Sequence, residues 1–206
     1  VYRTEKFEDN VRTFCMNPNG EVVQENYSGI ATVNGHSYAN YKTPNTNFAL
    51  LVSEKFTEPF KEPIQYGQHI ARLANMLGGG ILVQRFGDLL EGRRSTPERI
   101  ASSVITPTLT CATPGDLSLV IPYRQMTSII EMLQALDKIA PGTASRYTLL
   151  YGIEVKFYSA RVKLTQQLET EGVKNLFTIG DGAGVTRGLL QASASGVYVA
   201  RTICER

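Results

Sequence analysis

Tryptophan is absent from these 206 residues, histidine occurs only twice and cysteine three times. Cys15, Cys111 and Cys204 are odd in number and far apart, so they offer neither a disulfide framework nor a Cys-x-x-Cys metal or redox pair. With His36 and His69 as the only imidazoles, no metal site is expected. Thiols without partners suit a reducing compartment, and a cytoplasmic location is the expectation. Charge of one sign is also missing: a net +2 gives no pull toward nucleic acid or an acidic membrane surface. No apolar run approaches the ~20 residues that span a bilayer, and the first residues hold no signal-peptide core.

Two nucleotide-binding patterns are missing as well. A dinucleotide fingerprint needs Gly-x-Gly-x-x-Gly, but Val185 stands three places after Gly182 and Arg187 three after Gly184. A phosphate-binding Gly-x-x-x-x-Gly-Lys-Ser/Thr run does not occur. Internal repeats and low-complexity tracts are absent too.

A composition of 42% hydrophobic and 19% charged residues can bury one sizeable core or two small ones. Residues 1–53 carry short apolar runs punctuated by Asn17-Pro-Asn-Gly20 and Asn34-Gly35, which read as strands and tight turns. Tyr66, Ile70, Leu73, Ala74 and Leu77 predict a helix over 64–77, ended by Gly78-Gly-Gly80 and followed by a strand at 81–86. Ser95-Thr-Pro-Glu98 reads as a helix start, capped by Ser95 with Glu98 or by Thr96 with Pro97 in the first turn. Met126, Ile129, Ile130, Leu133 and Leu136 predict another helix, stopped by Pro141-Gly142. A domain boundary is expected near Leu149, giving segments 1–149 and 150–206, with a strand at 150–158 opening the second.

The chemistry concentrates near the end of the sequence. Asn175-Leu-Phe-Thr-Ile-Gly180 reads as a strand, Gly180-Asp-Gly-Ala-Gly184 as a turn, and Val185-Thr-Arg-Gly188 leads into a helix of small residues. Backbone amides freed by the glycines, with the positive end of the helix, suit an anionic or electron-rich group. Asp181 could accept hydrogen bonds from hydroxyls. Ala192, Gly196 and Ala200 give that helix a smooth side, which close packing alone explains; three clustered glycines before it favour a cofactor. Arg187 reads equally as a tolerated surface cation and as a group beside a reduced cofactor.

Elsewhere the residue types favour structural roles. Cys15, between Phe14 and Met16, reads as a buried small hydrophobe before a reactive thiol. His36, in Asn34-Gly-His-Ser-Tyr38, could act as a general acid near substrate, but turn geometry explains such residues more simply. His69 suits a solvated helix face, and Arg93-Arg94 a solvated turn ahead of an anion grip.

Gly180-x-Gly182-x-Gly184 is similar to the glycine motif of S-adenosylmethionine-dependent methyltransferases, but that motif opens its domain and only residues 185–206 follow here. The segment better resembles the carboxyl-terminal flavin motif of glutathione-reductase-like FAD proteins, and Gly180-Asp-Gly-Ala-Gly-Val-Thr-Arg-Gly-Leu-Leu-Gln-Ala192 resembles a family of NAD(FAD)-utilising dehydrogenases. Phe14-Cys-Met-Asn-Pro-Asn-Gly-Glu-Val-Val23, Thr32-Val-Asn-Gly-His-Ser-Tyr38 and Asn47-Phe-Ala-Leu-Leu-Val-Ser53 agree with that likeness. The family's amino-terminal glycine fingerprint is missing.

The resemblance implies α/β with α+β architecture: a mixed-sheet inserted, substrate-type domain covering the isoalloxazine, plus the closing βα unit of an FAD/NAD(P)-binding domain. It implies the carboxyl-terminal part of an FAD-dependent oxidoreductase acting on a small molecule, with NAD(P)H as a reductant. The cofactor residues would be Gly180, Asp181, Gly182, Ala183, Gly184, Thr186, Arg187 and Gly188, with Asp181 on the ribityl chain or a phosphate and the Gly182 to Gly188 helix start at the pyrimidine edge. Cys15, Asn34 and His36 are the substrate-side candidates. The partner implied is an upstream FAD-binding segment of the same polypeptide, and a bare sheet edge left without it offers a pairing surface for a homodimer. A non-enzymatic ligand- or protein-binding module is the rival reading.

Overall fold

The computed structural model describes residues 1–155 and 161–205. The chain divides into two compact units, Val1–Val155 and Lys156–Arg206. Helices and sheets are mixed throughout the first unit, which has an α+β composition.

Three small sheets build that unit. β1 (Tyr2–Arg3), β2 (Asn10–Asn17) and β5 (Asn47–Val52) pair antiparallel with β2 in the centre. β3 (Glu21–Tyr27) and β4 (Ile30–His36) form a hairpin in register over its full length, from Glu21 opposite His36 to Tyr27 opposite Ile30. Its loop is Ser28-Gly29, with φ of 50° and 78°, the paired left-handed geometry that suits the twist of a two-residue hairpin. Asn34-Gly35, expected as a turn, instead lies inside β4 opposite Val23 and Val22. Gly35 is glycine because another strand comes close there, as described below. Asn17-Pro-Asn-Gly20 does turn the chain, from β2 into β3, with Asn19 at φ 52° and Gly20 N–H on the Asn17 carbonyl.

The third sheet is β7 (Thr113–Pro114), β6 (Leu82–Arg85) and β8 (Leu149–Gly152), with β6 central, parallel to β7 and antiparallel to β8. The strand expected over 150–158 is thus short. It belongs with the first unit because Leu149 to Gly152 pair with Arg85 to Leu82; residues 156–158 lie outside the described residues.

α1 (Pro63–Gly78) follows the predicted spacing and ends on Gly79, left-handed at φ 66°. Its buried Ala71 and Ala74 let it approach the hairpin. Asn75 then pairs both backbone groups of Ala31, accepting from the N–H at 2.8 Å and donating to the carbonyl at 2.9 Å, so a helix side chain stands in for a neighbouring strand.

α2 (Phe86–Leu90) follows β6 directly, and α3 (Pro97–Ala101) starts on Thr96, which accepts from the Arg99 N–H. Ser95 has another task, described below. α4 (Tyr123–Asp137) buries Met126 and Leu133 in the core cluster with Phe86, Leu117 and Leu82. Each such side chain contributes about 1.5–3 kcal/mol on burial. α4 is also tied to the start of β2: Arg124 donates to both Asp9 oxygens and Ser128 to Asp9 Oδ2 at 3.0 Å.

Within the second unit, a 3-10 turn covers Asp181–Ala183 and α5 runs over Leu189–Cys204. Among the described residues, 175–179, expected as a strand, contribute a single antiparallel bridge, Phe177 to Glu169, and the chain reverses just before it at Gly172 (φ 84°) and Asn175 (φ 62°).

Candidate functional site

The glycine turn of the second unit is held by its own polar groups. Asp181 Oδ1 accepts from Thr186 Oγ1 at 2.5 Å and from the Gly188 N–H at 3.3 Å. Those two bonds, with the charge of Arg187, hold this exposed carboxylate below its ordinary range. Gly180 (φ 72°), Gly184 (φ 71°) and Gly188 (φ 152°) bring the chain through left-handed conformations three times in nine residues, Gly180 to Gly188. These breaks move the helix start from the expected Gly182 to Leu189, so Arg187 lies outside the first turn of α5, before its Gly188 cap.

Ser195, which the sequence reading passed over, anchors the turn to the helix: its hydroxyl accepts from Gly180 N–H at 3.0 Å and donates to the Ala192 carbonyl at 2.7 Å. A Cβ at Gly180 would lie 3.8 Å from Ala192 and one at Gly196 3.7 Å from Ile179, ordinary contact distances, so Ala192 and Gly196 lie beside residues 179–180. Ala200 is exposed and takes no part in that contact. Gly182 differs, because it is exposed and a Cβ there meets nothing within 4 Å among the described residues. Packing among the described residues therefore does not explain it. An open backbone surface at Gly182, beside the Asp181 carboxylate and buried Ala183, fits a hydroxyl-bearing or electron-rich group laid against the turn.

In the first unit the structure gathers the substrate-side candidates at the ends of β2 and β4. Asn34 Nδ2 donates to Glu25 Oε1 at 2.9 Å, and His36 Nε2 lies 3.8 Å from the same oxygen. Glu25 and His36 are each about half exposed, with side-chain accessibilities of 46% and 48%. The hairpin register explains the meeting: Asn34 and His36 share one face of β4, opposite Val23 and Glu21, and Glu25 continues that face on β3. Tyr38 stacks loosely on His36 with ring centroids 6.0 Å apart, and its phenol is pushed up by burial and by Glu21.

Cys15 is exposed, which corrects the expectation of a buried thiol. The β2–β5 ladder slips between Phe14 and Asn17, and Cys15 sits in the irregularity at φ 50°. Asn17 Nδ2 bonds the Cys15 carbonyl at 2.6 Å and Asn47 Oδ1 at 2.9 Å. Neither amide can flip without losing an acceptor, and Asn47 Nδ2 is then a buried donor with no partner among the described residues. Gly35 packs under this pair, while a Cβ on Gly20 would stand 2.3 Å from the His36 carbonyl. Ser37 donates to the Pro18 carbonyl, and buried Thr43 donates to the Gly20 carbonyl at 2.5 Å. Glu25, Asn17, Asn47 and Thr43 are not among the candidates that the sequence offers, because Asn17-Pro-Asn-Gly20 carries the composition of a turn and the partners of these side chains lie on other strands.

His69 is exposed on α1, as its helix position suggested. Among the described residues no group of three or more His, Cys, Asp or Glu could hold a metal ion, and no helix is long and apolar enough to cross a membrane.

The family model described as "FAD-dependent protein, C-terminal domain-like" matches residues 1–157. An "uncharacterized protein" of Clostridium beijerinckii is 32% identical over all of this chain, which spans 40% of that relative's length.

Proposed function

This chain belongs to the FAD-dependent protein, C-terminal domain-like family, and we propose that it supplies the carboxyl-terminal part of an FAD-dependent oxidoreductase. In this reading Val1–Val155 is a substrate-side domain, and residues 180–188 are the closing turn of a glutathione-reductase-like flavin site. An upstream segment of the same polypeptide supplies the rest of that site. The family match supports the link to FAD. The observation that carries the site is Gly182, an exposed glycine that no contact among the described residues requires.

FAD, when bound, supplies the hydride or electron chemistry. The chain's own task is binding and orientation. Gly182 leaves the backbone open to a close approach, and Asp181, already fixed by Thr186 and Gly188, presents a carboxylate that suits the hydroxyls of a ribityl chain. On the substrate side, His36 Nε2 is the atom that takes or returns a proton, with Glu25 as its carboxylate partner and Asn34 sharing that carboxylate. A nicotinamide nucleotide is the proposed reductant.

The test is the visible spectrum of the intact polypeptide that carries this chain, before and after anaerobic addition of NADH or NADPH. A flavin spectrum that bleaches supports an oxidoreductase reduced by a nicotinamide. A flavin spectrum unmoved by either nucleotide removes that reductant, and a folded, colourless protein in excess FAD leaves a binding module as the better reading.

A further inference from the structure

A second candidate site lies in the first unit, independent of the flavin reading. Between the end of α1, β7 and the loop after α2 is an open cavity of about 430 Å³, inside the range of small-molecule sites. Its apolar lining is Leu77, Leu82, Pro114 and Leu119. Leu77 and Leu119 are 45% and 65% exposed, so apolar surface remains accessible there. Arg93 and Arg94 belong to the same lining.

The two arginines differ in their engagement. Arg93 donates to Asp88 Oδ1 at 3.0 Å and meets Glu91 Oε2 at 2.6 Å. Asp88 is fully buried and is itself fixed by the Ser95 hydroxyl at 2.8 Å, which holds the Arg93 guanidinium in one place. Arg94 makes no side-chain hydrogen bond or ion pair among the described residues, and its charge acts on Glu98. Asp116, also on the lining, accepts from Ser118 N–H, Ser118 Oγ and Gln84 Nε2, which fix its carboxylate in place. Arg94 is therefore a cation of the lining whose own donors have no protein acceptor among the described residues, beside aliphatic residues of the same lining.

We propose that this cavity binds a small organic acid, its carboxylate on Arg94 beside the fixed Arg93 and its apolar body along Leu77, Leu82 and Leu119. Charge complementarity selects the anionic head: an arginine fork matches a carboxylate, and a neutral head leaves the cation unpaired. Apolar surface selects the body. Neither inorganic anions nor neutral lipophiles satisfy both the cationic and the apolar part of the lining.

Calorimetric titration of the intact polypeptide that carries this chain with octanoate, octanamide and inorganic phosphate tests the assignment. Octanoate should bind at least tenfold more tightly than either of the others, and Arg94→Gln should weaken octanoate about tenfold or more with the melting temperature unchanged, as loss of a charge-assisted bond requires. Leu119→Asp should weaken it as well. The proposal is overturned if octanoate does not bind, if phosphate or octanamide binds as well as octanoate, or if Arg94→Gln binds octanoate like the wild type. None of these readouts depends on flavin, so the failure of one reading leaves the other standing.

Discussion

Asn17 on β2 donates its side-chain amide to the side-chain Oδ1 of Asn47 on β5 at 2.9 Å, and the pair lies so close over Gly35 of β4 that a Cβ there would stand 2.0 Å from Asn47 Oδ1. Gly35→Ala is therefore expected to lower stability by about 1–3 kcal/mol, the range for overpacking a site held from several sides. Gly182→Ala, where a Cβ meets open space, is the control and should change stability by less than about 0.5 kcal/mol. Urea unfolding midpoints of the two variants decide; equal midpoints would contradict the packing described for Gly35.

Acid stability should depend on Asp88. Burial opposes its ionisation, but the hydrogen bonds from Ser95 and Arg93 and the charges of Arg85 and Arg93 outweigh that and keep the carboxyl below its usual range. The unfolded chain then takes up the proton first, so the stabilisation is complete above about pH 4 and drains away as pH falls through the folded value. Asp9 behaves alike, held down by the Arg124 hydrogen bond against its own burial. Asp88→Asn should cost about 3 kcal/mol at neutral pH, because it leaves the buried Arg85 without its carboxylate, and should flatten the decline below about pH 4. A variant with the wild-type profile would show that the network does not stabilise the fold.

Cys15 should react in the folded chain. Its exposure in the β2 irregularity means that wild type and Cys15→Ser differ by one thiol in a titration with Ellman's reagent under native conditions. Equal thiol counts would place Cys15 in the interior after all.

Glu25→Gln separates proton handling from folding. Its contact with His36 is half exposed and adds under about 1 kcal/mol, so the melting temperature should hardly move. Turnover by the intact, flavin-loaded polypeptide should fall, and Glu25→Asp should restore part of it. Turnover unchanged in Glu25→Gln would remove His36 and Asn34 from the substrate side.

Periodicity located the elements that bury one continuous face. The apolar spacing of Tyr66 to Leu77 and of Met126 to Leu136 was enough to find α1 and α4, and Thr96-Pro97 marked the start of α3. Closeness between distant segments was not legible. Asn34-Gly35 carries the composition of a hairpin turn, yet Gly35 is set by an amide pair reaching it from β2 and β5, while the turn falls to Ser28-Gly29. Cys15 has the flanks of a core strand, and only the slipped register of β2 against β5 turns it outward. In the second unit the glycines were visible and their spacing suggested a ligand, but their left-handed φ values, which delay α5 to Leu189, have no sequence signal beyond glycine itself. Asn75 and Ser195 look like ordinary helix polar residues, and their backbone partners emerge only with the tertiary fold.

Flavin content of the intact polypeptide, compared between wild type and Gly182→Val, tests the central claim most directly. The wild type should purify with stoichiometric FAD, and the variant, equally folded because its side chain enters space the described residues leave open, should lose it. A folded wild type that stays colourless in excess FAD, or a Gly182→Val protein that keeps its flavin, would contradict the account.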